Sequence, residues 1–123
     1  MLVKNIDSNE LAQWLKQEEP PVLIDVRTPR EMIQASIPTG QPLPLTVLPL
    51  RMNEIPKNKQ VVFYCRTGAR SAQACMYMTQ QGYDNVYNLY GGIMKWANHG
   101  FPIEPMVMLK GETNIARENI SKT

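Results

Sequence analysis

Apolar positions along the chain switch repeatedly between two spacings. Near the N-terminus Leu11, Trp14 and Leu15 recur at helical intervals, as on the buried stripe of an amphipathic helix. Asp7 and Glu10 in "DSNE" have the spacing of a capping box, and "EEPP" at 18–21 ends the pattern. The run "VLIDV" at 22–26 is apolar except for Asp25, which predicts a parallel strand covered on both faces. "TPRE" follows, with a threonine N-cap, a proline at the first helical position and a glutamate at the third, predicting a short helix from Pro29. "VVFYC" at 61–65 reads as a second buried strand and "ARSAQACMYMTQQG" at 69–82 as a helix closed by Gly82. "NVYNLYGG" at 85–92 reads as a third strand closed by paired glycines, and "GIMKWANHG" as a last helix. Between them "SIPTGQPLPLTVLPLRMNEIPKNK" is rich in proline and reads as loop, short strand and a helix over 46–55 entered near Pro49.

Strands that alternate with helices form βαβ units, so the fold class is α/β: a mostly parallel sheet with helices on both faces. The length of 123 residues suits one domain, which is placed at 1–105, with 106–123 as a C-terminal tail because "GETNIARENISKT" is polar and lacks an apolar period. The short "MVML" at 106–109 is the exception, read as an end strand or loop packing onto the domain, with a dimer contact as the alternative.

Composition narrows the function. With 43% hydrophobic and 20% charged residues, the chain is an ordinary globular protein that needs no metal or disulfide to hold its core. A net charge of +2 with scattered Lys and Arg gives no footprint for nucleic acid. No stretch has the length and apolarity of a signal sequence or a membrane span, so the expected location is cytoplasmic. Cys65 and Cys75 would lie about 15 Å apart along a helix, too far for a disulfide, and both are expected as free thiols in a reducing compartment.

Cys65 carries the candidate chemistry. It ends a strand just before a helix, where backbone amides and the helix dipole favour negative charge. Beside such groups a thiol pKa can fall by two units, which takes about 2.7 kcal/mol and is within reach of several amide hydrogen bonds plus the dipole. Gly68 permits the left-handed backbone that turns the amides of "CRTGAR" inward as an anion nest. Arg66 and Arg70 are expected to supply positive charge at its rim. Arg70 in a helix's first turn opposes the dipole, a conflict that a bound anion would remove. The expectation is an exposed, ionised thiol; the competing reading of Cys65 is a small apolar residue ending a core strand.

Cys75 reads as core, on a helical stripe with Ala72, Met76 and Thr79, rather than as a resolving thiol. His99, the single histidine, precedes Gly100 at a helix end and suits the dipole there. Having one histidine argues against a histidine-based metal site or a Cys–His dyad, and no metal or cofactor is expected.

Three segments, "VLIDVRTPREM", "VVFYCRTGARSAQA" and "VYNLYGGIMKWANHGFPIE", resemble in this order and spacing the single-domain rhodanese (thiosulfate sulfurtransferase) family, over about residues 7–105. The resemblance implies a rhodanese-like fold, a five-stranded mostly parallel sheet flanked by helices, with Cys65 as sulfur carrier. It implies attack on thiosulfate or another sulfane donor, a Cys65 persulfide, and transfer to cyanide or a thiol, with ping-pong kinetics. Arg66, Thr67, Gly68, Ala69 and Arg70 match the loop that encloses the sulfur. Asp25 and Arg27 match the family's strand end and are expected to brace the site, as a carboxylate–guanidinium pair or through loop hydrogen bonds, with direct substrate contact as the lesser reading. Gly91 and Gly92 match the turn before the last helix. Ser36 stands where the family has a histidine, which implies altered packing of the adjacent loop rather than lost chemistry. Beyond the small molecules, a homodimer or a sulfur-accepting protein partner is left open.

Two rivals remain. Rhodanese-like phosphatases and arsenate reductases carry one more residue between cysteine and arginine; here four, Arg66 to Ala69, separate Cys65 from Arg70, a ring better suited to a sulfur atom than to a tetrahedral oxyanion. A non-catalytic rhodanese-like sulfur-carrier or interaction module is the other rival, although such modules often lack the cysteine that this chain keeps.

Overall fold

The computed structural model describes residues 2–107. Among these, five strands form one sheet: β1 (Asn5–Ile6), β2 (Val22–Asp25), β3 (Gln41–Pro42), β4 (Val61–Tyr64) and β5 (Val86–Leu89), ordered β1-β5-β4-β2-β3. The strand pairings are all parallel. The helices are α1 (Ser8–Trp14), α2 (Pro29–Gln34), α3 (Leu48–Arg51), α4 (Ala69–Gln80) and α5 (Gly92–Asn98). An isolated antiparallel bridge joins Ser36 to Glu104. Among the described residues, no helix is long and apolar enough to cross a membrane.

Local rules explain most boundaries. Asp7 caps α1 and Thr28 caps α2, each in a reciprocal capping box with the glutamate three residues on. The segment read as one helix over 46–55 is instead three short pieces, a 3-10 turn at Leu45–Val47, α3, and a 3-10 turn at Met52–Glu54. Pro49 has no amide hydrogen to continue a ladder, and short pieces result.

Strand alternation sorts the core into two layers. Val61, Phe63 and Cys65 share one face with Ala74, Cys75 and Met78 of α4. Val62 and Tyr64 point to the other, with Leu11 of α1 and Ile93 and Trp96 of α5. Cys65 thus keeps the parity of its strand and aims at the start of α4. Helix α4 buries Ser71, Ala74, Cys75 and Met78. The expected stripe of Ala72, Met76 and Thr79 is therefore displaced, although Cys75 is in the core as read; Met76 is exposed. Ser71, a polar residue, turns inward because it has buried polar partners.

Ser36 is fully buried; its hydroxyl donates to the Met32 carbonyl at 2.7 Å and its backbone pairs both ways with Glu104. At Met106 the chain is still packed, buried and donating its amide to the Met32 carbonyl at 3.2 Å. The rest of the segment 106–123, apart from the half-exposed Val107, lies outside the described residues.

Candidate active site

The loop 66–68 leaves β4 and enters α4 through Gly68, whose φ of 111° is open to glycine and strained for other residues. Its outer edge is held by α5: the amide of Ile93 donates to the Cys65 carbonyl at 2.9 Å and that of Met94 to the Arg66 carbonyl at 3.1 Å. Gly92 makes this approach possible, because a Cβ there would sit 2.3 Å from the Arg66 carbonyl oxygen. With the carbonyls tied outward, the amides turn toward the sulfur. Gly68 N–H lies 3.1 Å from Cys65 Sγ, and Ser71 N–H and Ser71 Oγ each lie 3.4 Å from it.

Burial pushes the Cys65 thiol up, but hydrogen bonds offered to the anionic sulfur by the Ser71 hydroxyl and by the Ser71, Gly68 and Thr67 amides outweigh it and lower its pKa below the ordinary value. The anion nest expected at "CRTGAR" is thus formed, and Ser71 completes it. The expected exposure is not: Cys65 is 1% exposed. The groups that stabilise the anion are the same ones that cover it.

Arg66 is exposed. The Arg70 guanidinium forms a two-pronged pair with Glu31, at 2.7 and 2.8 Å, and this α2 carboxylate offsets its conflict with the α4 dipole. That pair holds the Glu31 carboxyl down at about 2. Nothing local in the sequence signals this contact, which spans 39 positions; Glu31 reads only as the third residue of a capping box, a role it also fills.

Of the two bracing arrangements expected of Asp25 and Arg27, the structure shows the ion pair, and it is buried. Arg27 Nε donates to Asp25 Oδ1 at 2.9 Å and Nη2 to Oδ2 at 2.8 Å, while Nη2 also donates to the Ala35 carbonyl at 2.6 Å. The guanidinium stacks over the Tyr64 ring, 5.5 Å from its centroid, and Tyr64 Oη accepts from the Ile37 amide. The pair therefore packs beside the residue that precedes Cys65. His99 caps the end of α5 and is exposed, with Nδ1 2.7 Å from the Lys95 carbonyl oxygen. A cleft of about 260 Å³ opens beside the loop, lined by Arg27, Glu31, Arg66, Ile93, Met94 and Ile103 among others.

Fold and loop together define an α/β protein with a cysteine cradled at a strand-to-helix turn. A Rhodanese-like domain model matches residues 7–99. The chain is 54% identical over 102 residues to a sulfurtransferase of Allochromatium vinosum, covering 83% of this chain and 95% of that one. It is 34% identical to the putative sulfurtransferase YtwF of Bacillus subtilis, covering 83% and 98%. A crystal structure of a rhodanese-like domain protein from Staphylococcus aureus superposes with a TM-score of 0.75 at 31% identity, covering 83% of this chain and 99% of that one. The chain belongs to the rhodanese-like family, and these relatives support a sulfur-transfer role in general.

Proposed function

We propose that the protein moves a sulfane sulfur from thiosulfate or a similar donor to a thiophilic acceptor, cyanide or a thiol, through a Cys65 persulfide. The Cys65 thiolate attacks the outer sulfur of the donor; the donor's S–S bond breaks and sulfite leaves with the bonding pair. A nucleophilic acceptor then attacks the outer persulfide sulfur, and the electrons of that S–S bond return to Cys65 as thiolate. No proton need move in either half-reaction when both nucleophiles are anions. The observation that carries this reading is the convergence of the Ser71 hydroxyl and three backbone amides on one sulfur whose ionisation they favour.

At 1% exposure the sulfur lies on the floor of a closed loop, so the loop must open locally to admit a donor. Opening beside the adjoining cleft, where Met94 and Ile103 are part-exposed, brings the donor past Arg66. That same closure favours a second reading, a sulfur-carrier or interaction module whose loop opens for a protein partner rather than for free thiosulfate. One experiment addresses both. Incubation with thiosulfate is expected to add about 32 mass units, one sulfur atom, removable by cyanide or dithiothreitol. Loading in Cys65→Ser equal to wild type rules out the Cys65 assignment; loading without turnover to cyanide selects the carrier.

A further inference from the structure

In strand β5, Asn88 is a polar residue on the face turned toward α4. The register of the sheet sets Asn5 of β1 directly against Asn88. Asn88 has the parity of Val86, which lies in the α4-side core, so its side chain reaches the buried Ser71. Asn88 is 4% exposed, and its amide nitrogen donates to Asn5 Oδ1 at 2.9 Å. Its Oδ1 lies 2.5 Å from Ser71 Oγ, which is itself 3.4 Å from Cys65 Sγ. The four residues form one chain of contacts ending at the sulfur.

A hydroxyl carries one hydrogen, so Ser71 serves Asn88 or Cys65 but not both. With Asn88 Oδ1 accepting that hydrogen, the Ser71 oxygen offers the sulfur only lone pairs. Those suit a thiol, whose S–H then donates to Ser71. Turning over the Asn88 and Asn5 carboxamides, whose oxygen and nitrogen ends are nearly the same shape, reverses every bond. Asn5 then donates to Asn88 Oδ1, Asn88 donates to Ser71 Oγ, and the Ser71 hydrogen goes to Cys65 Sγ. That polarity suits a thiolate or a persulfide anion. The reversal is cheap at the far end: Asn5 is exposed and its amide's other contact, to the Val3 carbonyl, is 3.5 Å long.

We propose that Asn88 is a positioning residue: its carboxamide, backed by Asn5, directs the single Ser71 hydrogen toward or away from the Cys65 sulfur according to the charge there. The proposal deepens the sulfur-transfer reading and rests on it for its purpose, although its test does not use sulfur transfer. The charged groups around the site, Arg66, Arg70 with Glu31, and Asp25 with Arg27, are unchanged in every variant used; Asn88→Asp adds one carboxylate, whose direct effect on the sulfur is the part that survives without the Ser71 hydroxyl.

The test is the pH dependence of Cys65 alkylation by iodoacetamide, read at the Cys65 peptide. Asn88→Asp presents only acceptors and holds the Ser71 hydrogen, so the midpoint rises and alkylation at pH 7 slows about tenfold. Asn88→Leu releases the hydrogen to the sulfur, so the midpoint falls and alkylation at pH 7 speeds up about twofold. In a Ser71→Ala background the effect of Asn88→Asp shrinks by at least half and that of Asn88→Leu disappears. Shifts in the same direction for both variants, no shift, or full shifts without the Ser71 hydroxyl overturn the proposal; if the aspartate variant does not fold, the leucine variant with and without the Ser71 hydroxyl decides alone. Sulfur loading of the wild type is read separately. Normal loading with no midpoint shifts removes the role of Asn88 alone, while the stated shifts without loading remove the sulfur-transfer reading alone.

Discussion

Cys65 and Cys75 are equally buried, at 1% exposure each, and lie in the same core layer, yet their surroundings push them in opposite directions. Around Cys75, in the middle of α4, burial raises the thiol to about 12. Around Cys65 burial acts the same way but is outweighed by the Ser71 hydroxyl and the loop amides, and the thiol is lowered. Helix interior amides are already spent on the i−4 carbonyls, whereas amides at a helix start are free to serve a side chain. At equal depth, a cysteine's place relative to a helix terminus sets the direction in which its pKa moves.

The largest expected contrast is in sulfur loading itself. Cys65→Ser is expected to abolish the added mass, whereas Cys75→Ser keeps it and costs about 1–3 kcal/mol of stability in urea unfolding, because a hydroxyl replaces a buried thiol among apolar neighbours. Equal loss of loading in both variants would erase the distinction. Next in size, Asp25→Asn is expected to lower stability by about 3–5 kcal/mol by leaving Arg27 buried and uncompensated, detected as an earlier unfolding midpoint in urea. Ser71→Ala removes a hydrogen bond to a charged sulfur, about 1.5 kcal/mol or more, and is expected to slow Cys65 alkylation at pH 7 about tenfold.

The pH dependence of stability separates the two thiols further. A lowered Cys65 contributes stability that is present above the ordinary thiol value and is lost as pH falls through the folded value. A raised Cys75 has the opposite sign: stability is lost as pH climbs from the ordinary value toward about 12, at about 1.4 kcal/mol per pH unit. Burial raises the Tyr64 phenol as well, so wild type and Cys75→Ser both lose stability across that window, and unfolding is expected to show the wild type losing it more steeply, by about this slope. Smallest of all, Glu31→Gln removes a half-exposed pair worth about 1 kcal/mol or less. Its contribution is present above the ordinary glutamate range and fades as pH falls toward about 2, which acid titration of the two proteins will resolve.

The sheet was legible because β2, β4 and β5 are apolar runs bounded by helix signals, and both capping boxes announce their helices locally. Strands β1 and β3, of two residues each, have too little sequence to show a period and exist only through pairing with neighbours. The loop whose amides turn toward the Cys65 sulfur was legible as a glycine-bearing strand-to-helix turn, and the Asp25–Arg27 ion pair was one of two arrangements read for those residues. Ser71 could have been found as a hydroxyl in the first turn after the loop. Asn88 is a polar residue in an otherwise apolar strand and was passed over, and Glu31 was read only as a capping residue, since its contact with Arg70 across the fold leaves no local pattern. The exposure expected of Cys65 fails because a ring of amides around a sulfur necessarily hides it.

The loop's hydrogen bonds hold the Cys65 thiol below its ordinary value while burial in the same core layer holds Cys75 above it. Alkylation of the native protein across pH 5–10, quantified separately at each cysteine, tests it most directly. Cys65 is predicted to label with a midpoint below the ordinary thiol value and far faster than Cys75. A Cys65 midpoint at or above that value, or labelling no faster than at Cys75, would contradict it.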